Sequence, residues 1–139
     1  MEPHPNEGAE LVTTPTVLFL CTHNAGRSQL GAALLELLAG ERYTAASAGF
    51  APADTVNPAV AAAVAELGLD ITDRVPRKVT AEDVERADVV VAMKPGLHIP
   101  GTPNRLIEWS FPDPDAWDVE HVRSLREAVA AAITEEFAN

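Results

Sequence analysis

The chain has 139 residues, and its 21 Asp and Glu exceed its 10 Lys and Arg, which gives a formal net charge of −11. This length suits one domain, and so acidic a chain lacks the basic face that nucleic acids and anionic membranes require. One cysteine is present, which excludes an internal disulfide and a zinc site built from several cysteines. The sequence contains no run of about 18 apolar residues, the length that predicts a transmembrane helix. We therefore expect a cytoplasmic protein without nucleic-acid or membrane partners.

The first residues differ from the rest in composition. Residues 1–15 are polar and acidic and contain Pro3 and Pro5, a composition typical of disordered segments. They are predicted to form a disordered N-terminal lead-in. Order is predicted to begin at Thr16, and residues 16–139 are predicted to form a single domain.

Strands and helices are predicted to alternate through that domain. Apolar, β-favouring runs predict strands at 16–21, 43–48, 88–93 and 104–107. Helical spacing of apolar residues and capping signals predict helices at 29–39, 58–67, 81–86 and 119–137. This alternation predicts an α/β fold, in which a four-stranded parallel sheet is covered by helices on both faces in a three-layer αβα arrangement.

The loop after the first strand carries the clearest chemical pattern. Cys21 ends that strand, and Arg27 follows six residues later. Backbone N–H groups in a strand-to-helix turn converge on a tetrahedral oxyanion, and the planar guanidinium of an arginine can grip two of its oxygens. Ligands of parallel sheets bind at the carboxyl ends of strands, where this loop is expected. We predict that it binds an oxyanion, through Thr22, His23, Asn24, Ala25, Gly26 and Arg27.

The same pattern predicts a reactive thiol. The positive field of the loop favours the thiolate form of Cys21, and Ser28 can donate a hydrogen bond to its sulfur. Asn24 tolerates left-handed backbone angles and can hold the shape of the loop. A nucleophile beneath an anion that it can attack predicts a catalytic domain, whereas the alternative is a buried structural cysteine. No His, Asp and Glu cluster has metal-ligand spacing, so no metal is expected.

The segment Val17-Leu18-Phe19-Leu20-Cys21-Thr22-His23-Asn24-Ala25-Gly26-Arg27-Ser28-Gln29 resembles the low-molecular-weight protein tyrosine phosphatase superfamily, and its arsenate reductase branch most closely. Gln29 takes the reductase form, because the phosphatases typically have Pro after Arg-Ser. Further similar segments are Ser47-Ala48-Gly49, Pro52-Ala53-Asp54, Val56-Asn57-Pro58, 88–93 and Trp109-Ser110-Phe111-Pro112-Asp113-Pro114. The resemblance extends from about residue 16 to the C-terminus and implies the low-molecular-weight phosphatase-like fold.

The resemblance also implies roles for individual residues. Cys21 would be the nucleophile, Arg27 and the loop amides would bind the oxyanion, and Ser28 would stabilise the thiolate. Asp113 would be the general acid that protonates the departing oxygen. The ring of Pro114 holds the preceding residue extended, which suits a side chain that must reach over a pocket.

One departure from the family bears on mechanism. Thioredoxin-coupled reductases of this branch use two further cysteines in the loop after the third strand, and the corresponding loop here, 94–101, contains none. A disulfide relay within the chain is therefore excluded, because exchange needs a second attacking thiolate. The resemblance then implies an arsenate reductase without a bound cofactor. Its Cys21–arsenate adduct would be resolved by an external thiol of the mycothiol or glutathione type, with a glutaredoxin-like or mycoredoxin-like partner.

Two alternatives remain open. A low-molecular-weight phosphatase would hydrolyse phosphate monoesters through a phosphocysteine, which requires no second cysteine. A non-catalytic oxyanion-binding module or a redox sensor would use Cys21 without turnover. The phosphatases usually place aromatic residues after Asp-Pro, but here only Trp117 is near. A phosphotyrosine ring would lose stacking area, so the expected substrate is a small oxyanion such as arsenate, phosphate or a sulfate-like ion.

Overall fold

The computed structural model describes residues 14–138. The lead-in predicted at 1–15 lies outside the described residues, apart from residues 14 and 15. Four parallel strands form one sheet in the order β2-β1-β3-β4. They are β1 (Thr16–Cys21), β2 (Thr44–Gly49), β3 (Val89–Ala92) and β4 (Leu106–Glu108).

Four α-helices accompany the sheet. They are α1 (Arg27–Ala39), α2 (Pro58–Ala65), α3 (Ala81–Arg86) and α4 (Val119–Ile133), and a π-helical turn, Thr134–Ala138, continues α4. No helix within residues 14–138 is long and apolar enough to cross a membrane.

The two faces of the sheet pack into separate cores. Along β1, Val17, Phe19 and Cys21 point into the larger core, which also holds the apolar residues of α1, α2 and α4. Leu18 and Leu20 point the other way, into a smaller core with α3. Both faces of β1 are buried, as expected for a central parallel strand. This arrangement confirms the predicted three-layer α/β fold.

Helix α1 begins at Arg27, two residues before its predicted start at Gln29. The N–H of Leu30 donates to the carbonyl of Gly26 at 2.9 Å, so the first turn forms directly after the loop. The N–H of Ser28, in that turn, donates to the Cys21 sulfur at 3.4 Å. The earlier start therefore brings the N-terminus of the helix up to the thiol.

Strands β2 and β3 and helix α2 differ from their predicted bounds by one or two residues at their ends, and β4 and the last helix differ for visible reasons. Strand β4 begins at Leu106 rather than at Asn104, because the Asn104 side chain donates to the carbonyls of Glu85 and Ala87 at 3.1 and 2.9 Å and so ties the incoming chain to the end of α3. The last helix changes to a π-helical turn after Ile133. Its apolar face remains buried as predicted, through Val122, Leu125, Val129, Ile133 and Phe137.

The carboxyl ends of β1 and β2 lie side by side, with Cys21 in register with Gly49. A Cβ atom on Gly49 would lie 2.8 Å from the backbone nitrogen of Asn24 and 2.9 Å from the carbonyl oxygen of Thr22. The glycine therefore allows the loop after β1 to pass directly against the end of β2.

A buried glycine in α1 gives a test of the core packing. A Cβ atom on Gly31 would lie 2.6 Å from Cδ2 of Phe19. Although Gly to Ala inside a helix ordinarily stabilises by roughly 0.5–1 kcal/mol, overpacking against Phe19 should make Gly31→Ala destabilising by about 1–3 kcal/mol. Urea unfolding measures this change, and an unchanged or higher free energy of unfolding would contradict the packing. Phe19→Leu should cost less in the Gly31→Ala background than in the wild type.

Candidate active site

A cavity of about 670 Å³ opens at the carboxyl edge of the sheet, and Cys21 lies in its wall. Three segments supply the other lining residues. They are the anion loop (residues 22–27), residues 53–59, and the acid loop (residues 113–117). In the anion loop the lining residues are His23, Ala25, Gly26 and Arg27, whereas Thr22 and Asn24 are not part of the wall. The cavity thus joins the end of β1 to two segments that lie far away in the sequence.

The Cys21 sulfur is buried and hydrogen-bonded by one residue in two ways. It lies 3.0 Å from Oγ of Ser28 and accepts the Ser28 backbone N–H at 3.4 Å. Nδ2 of Asn24 donates to the same Oγ at 2.8 Å, which leaves the Ser28 hydroxyl hydrogen free to point at the sulfur. Both polar groups of Ser28, at the N-terminus of α1, are therefore aimed at the one sulfur.

Asn24 holds the anion loop in its turn. Its φ of 50° lies in the left-handed region, as its residue type indicates. Nε2 of Gln29 donates to its carbonyl at 3.0 Å, and the backbone N–H of Arg77 donates to its Oδ1 at 3.0 Å. Neither contact was predicted. Gln29 served only as a marker of the family branch, and a backbone donor such as that of Arg77 leaves no signal in residue type.

Three carbonyls of the anion loop accept hydrogen bonds from backbone N–H groups of the segment after β2. That of Thr22 accepts from the N–H groups of Phe50 and Ala51 at 2.8 Å each, and those of His23 and Ala25 accept from residues 53 and 57 at 3.0 and 2.9 Å. Because a trans peptide holds its C=O and N–H on opposite sides, the N–H groups of His23, Asn24 and Gly26 face away from that segment and are not used in binding it. This is the geometry that an oxyanion cradle needs.

Arg27 lies at the end of the anion loop and is 7% exposed. Its Nη1 donates to the carbonyl of Phe111 at 3.1 Å, and its Nη2 lies 3.8 Å from Oδ2 of Asp113. Within residues 14–138, its Nε is the one buried side-chain nitrogen or oxygen without a hydrogen-bond partner. A buried guanidinium in the cavity wall with an unused donor is suited to an anionic ligand.

Asp113 lies beside Arg27, although 86 positions separate the two residues in the sequence. Its side chain is 44% exposed, and its Oδ1 accepts the backbone N–H of Asp115 at 3.0 Å. Three of the predicted catalytic residues, Cys21, Arg27 and Asp113, therefore line one cavity, and the fourth, Ser28, is buried against the Cys21 sulfur. His23 of the anion loop lines the cavity, whereas His98 is exposed and is not part of its wall.

The pattern that defines the low molecular weight phosphotyrosine protein phosphatase family matches residues 16–99. The chain belongs to this family. Its predicted membership of the phosphatase superfamily is thereby confirmed, together with the phosphatase-like fold.

Similar family members carry the arsenate reductase name. Arsenate reductase 1 of Bacillus cereus is 31% identical over 122 residues, covering 85% of this chain and 90% of that protein. The thioredoxin-dependent arsenate reductase of Corynebacterium glutamicum is 33% identical with a TM-score of 0.76, and the match covers 93% of this chain but 63% of that one. An arsenate reductase solved in its phosphate-binding state is 25% identical with a TM-score of 0.79, covering 90% of this chain and 98% of that one. These similarities confirm the predicted arsenate reductase branch.

The acid loop of this family member leads directly into α4. Oδ1 of Asp118 caps the helix by accepting the His121 backbone N–H at 2.9 Å, and it lies 2.6 Å from Nδ1 of the same residue. The hydrogen bond from the His121 backbone, and after it the bond from the His121 ring, hold the pKa of Asp118 below its usual value. The same ring bond to Asp118 raises the pKa of His121. The His121 ring packs edge-on against Trp117 in the cavity wall. The downstream end of the acid loop is thereby anchored.

Among residues 14–138, no group of three or more His, Cys, Asp and Glu side chains is arranged to hold a metal ion. Besides Cys21, the ionisable side chains that line the cavity are those of His23, Arg27, Asp113 and Asp115.

The hydrogen bond to the thiol gives a direct test of the site geometry. Ser28→Ala removes the hydroxyl donor to Cys21, and the loss of a bond to a charged group costs about 1.5–3 kcal/mol. Alkylation of Cys21 by iodoacetamide at neutral pH should slow about tenfold or more, because only the thiolate reacts. Mass spectrometry measures the rate. Thr55→Ala, which removes a hydroxyl from another wall of the cavity, should leave it unchanged; equal rates in wild type and Ser28→Ala would contradict the proposed contact.

Proposed function

We propose that this protein is an arsenate reductase that forms a covalent adduct between arsenate and Cys21. The observation that carries the proposal is the meeting of a doubly hydrogen-bonded sulfur with a buried guanidinium that has an unused donor, both in the wall of one cavity. The arsenate reductases among its relatives support the choice of substrate. Arsenate is a small tetrahedral oxyanion, which fits a cradle of amides better than it fits a broad apolar pocket.

In this proposal the anion loop binds the substrate. The N–H groups of residues 22–27 converge on the oxyanion, and Arg27 donates from the edge that holds its unpartnered Nε. Thr22, His23, Asn24, Ala25 and Gly26 contribute through their backbone. Arsenic is thereby held next to the Cys21 sulfur, which converts an encounter between two anions into an oriented contact.

Cys21 then attacks arsenic as a thiolate. A sulfur–arsenic bond forms, an arsenic–oxygen bond breaks, and the departing oxygen takes a proton from Asp113. The side chain of Asp113 is half-exposed beside Arg27, so it can reacquire a proton from solvent. Ser28 stabilises the sulfur while it carries charge. The product of this step is a Cys21–arsenate adduct.

Release of arsenite requires two electrons, and the chain holds no second cysteine to supply them. We propose that an external thiolate attacks the Cys21 sulfur. The sulfur–arsenic bond breaks, its electron pair leaves with arsenic as arsenite, and a mixed disulfide remains on Cys21. A thiol of a redoxin-type partner then reduces that disulfide and restores Cys21.

The depth of the site favours a small molecule as the first attacking thiol. Cys21 is 2% exposed, and the sulfur is reached through the cavity rather than from the surface. A thiol of the mycothiol or glutathione type could enter a cavity of about 670 Å³, whereas a cysteine held on the surface of a folded partner would reach the sulfur less readily. A redoxin would meet the mixed disulfide after the small thiol is attached.

The runner-up function is that of a phosphate-monoester phosphatase. It is favoured by the family itself and by the position of Asp113, which could act first as acid for the leaving group and then as base for water. This chemistry needs only one cysteine. A binding module or redox sensor without turnover would use the same cradle and thiol.

Arsenate turnover should depend on both Cys21 and an added thiol. Wild-type protein with arsenate, glutathione or mycothiol, the matching redoxin and its NADPH-dependent reductase should consume NADPH. Cys21→Ser should abolish this while binding arsenate within a few-fold of wild type, as isothermal titration calorimetry would measure, because the cradle is intact. No NADPH consumption with either thiol system would refute the reductase; turnover by Cys21→Ser would refute its nucleophile.

Asp113 is the general acid in both enzymatic readings, and assays with the two substrates separate them. Asp113→Asn should lower kcat for arsenate by about 10²-fold or more, since general acids contribute roughly 10²–10⁴-fold, with little change in arsenate affinity. The control is Asp115→Asn, which neutralises a second carboxylate of the same cavity and should change kcat much less. Steady hydrolysis of p-nitrophenyl phosphate without any arsenate reduction would instead establish the phosphatase. Unchanged kcat in Asp113→Asn would remove Asp113 from the mechanism.

A further inference from the structure

We infer that Asn57 is a positioning residue that holds the acid loop on the anion loop, so that Asp113 stays in place when Arg27 binds the substrate. This inference rests on the proposed function of Cys21, Arg27 and Asp113. The sequence predicts Asn57 only as the cap of a helix, and its contacts go well beyond that role.

Three segments of the site meet at this one residue. The backbone N–H of Asn57 donates to the carbonyl of Ala25 in the anion loop at 2.9 Å. Its Nδ2 donates to the carbonyl of Pro114 in the acid loop at 3.3 Å. Its Oδ1 accepts the N–H groups of Ala59 and Val60 at 2.8 and 3.4 Å and so caps α2. The helix cap fixes the side chain that reaches the acid loop.

Pro114 is seated directly on the anion loop. A Cβ atom on Gly26 would lie 2.8 Å from Cγ and 3.1 Å from Cδ of the Pro114 ring, so the proline occupies the space that any other residue at position 26 would fill. Pro114 is buried, whereas Asp113 and Asp115 on either side are exposed. The buried ring and its carbonyl are therefore the fixed point of the acid loop.

Hydrogen bonds to backbone carbonyls fix the chain on both sides of Asp113. Upstream, the carbonyl of Phe111 accepts from Nη1 of Arg27. Downstream, the carbonyl of Pro114 accepts from Asn57. The direct contact between Arg27 and Asp113 is 3.8 Å long, which is beyond hydrogen-bond distance, so it does not fix the carboxylate by itself.

The two attachments respond differently to substrate. Arg27 binds the oxyanion from the edge that carries Nε and Nη2, so the contact between Nη2 and Asp113 competes with binding, whereas the Nη1 bond to Phe111 does not. Asn57 donates to Pro114 and accepts from α2, and none of these bonds uses an atom that the substrate needs. Asn57 therefore holds the downstream side of Asp113 near the departing oxygen during the reaction. Small errors in such placement are costly, since a displacement of about 1 Å can lower the rate about 10²-fold.

The test compares two substitutions at the same position. Asn57→Ser keeps a good helix cap but is too short to reach the Pro114 carbonyl, whereas Asn57→Ala loses the cap as well. Arg126→Gln is the matched control, because Nη1 of Arg126 donates to the carbonyl of Ala63 at 2.8 Å and closes the opposite end of the same helix. Thermal unfolding reports the stability of each variant.

Asn57→Ser should lower kcat for arsenate by roughly 10- to 100-fold, while the arsenate Kd measured by calorimetry stays within about threefold. Arg126→Gln should lower the Tm without this loss of kcat. Amide hydrogen exchange supplies a readout that needs no turnover: the N–H of Trp117, which donates to the Pro114 carbonyl at 3.0 Å, should exchange about tenfold faster in Asn57→Ser.

Wild-type kcat in Asn57→Ser, or a wild-type exchange rate at Trp117, would overturn the inference and leave the proposed function standing. An equal loss of kcat in Arg126→Gln would also overturn it, because the effect would then follow from the stability of α2. A wild-type protein that reduces no arsenate would overturn the proposed function and the catalytic part of this inference, and the exchange experiment would still decide whether Asn57 holds the acid loop.

Discussion

The hydrogen-bond chain from Asn24 through Ser28 to Cys21 is the interaction on which the rest of the site depends. Asn24 donates to the Ser28 hydroxyl, which leaves that hydroxyl to donate to the sulfur. The chain requires a left-handed residue in the loop, a helix that starts at Arg27, and a glycine at position 49 that lets the loop lie against β2. The fold supplies all three at the carboxyl edge of its sheet.

The charge of the protein makes this local arrangement necessary. With a net charge of −11, the chain as a whole repels anions, and the long-range field gives an oxyanion no help in reaching the site. Binding must therefore come from short-range donors: the amides of the anion loop and the buried guanidinium of Arg27. The solitary cysteine imposes the second constraint, since the chain can form the first bond to arsenic but needs an external thiol to release it.

The sequence predicted the parts of the site that are local along the chain. Cys21, Arg27 and Ser28 belong to one strand–loop–helix unit, whose geometry follows from spacing and residue type. Asp113 lies 86 residues from Arg27 and was placed only by the resemblance to a family. The sequence did not predict that Gln29, Arg77 and Asn57 support the loops. Gln29 binds a backbone carbonyl and Arg77 donates its own backbone N–H, and backbone atoms carry no residue signature. Asn57 has the pattern of an ordinary helix cap, which gives no sign of its bond to Pro114.

The central claim is that arsenate on Cys21 makes the sulfur a target for an external thiol. Intact-mass spectrometry tests it most directly, on wild-type protein incubated with arsenate and glutathione or mycothiol without a redoxin. The account predicts a mixed disulfide on Cys21 that forms with arsenate and does not form when phosphate replaces it. A protein that stays unmodified with both thiols, or that gains the same mass whether or not arsenate is present, would contradict the account.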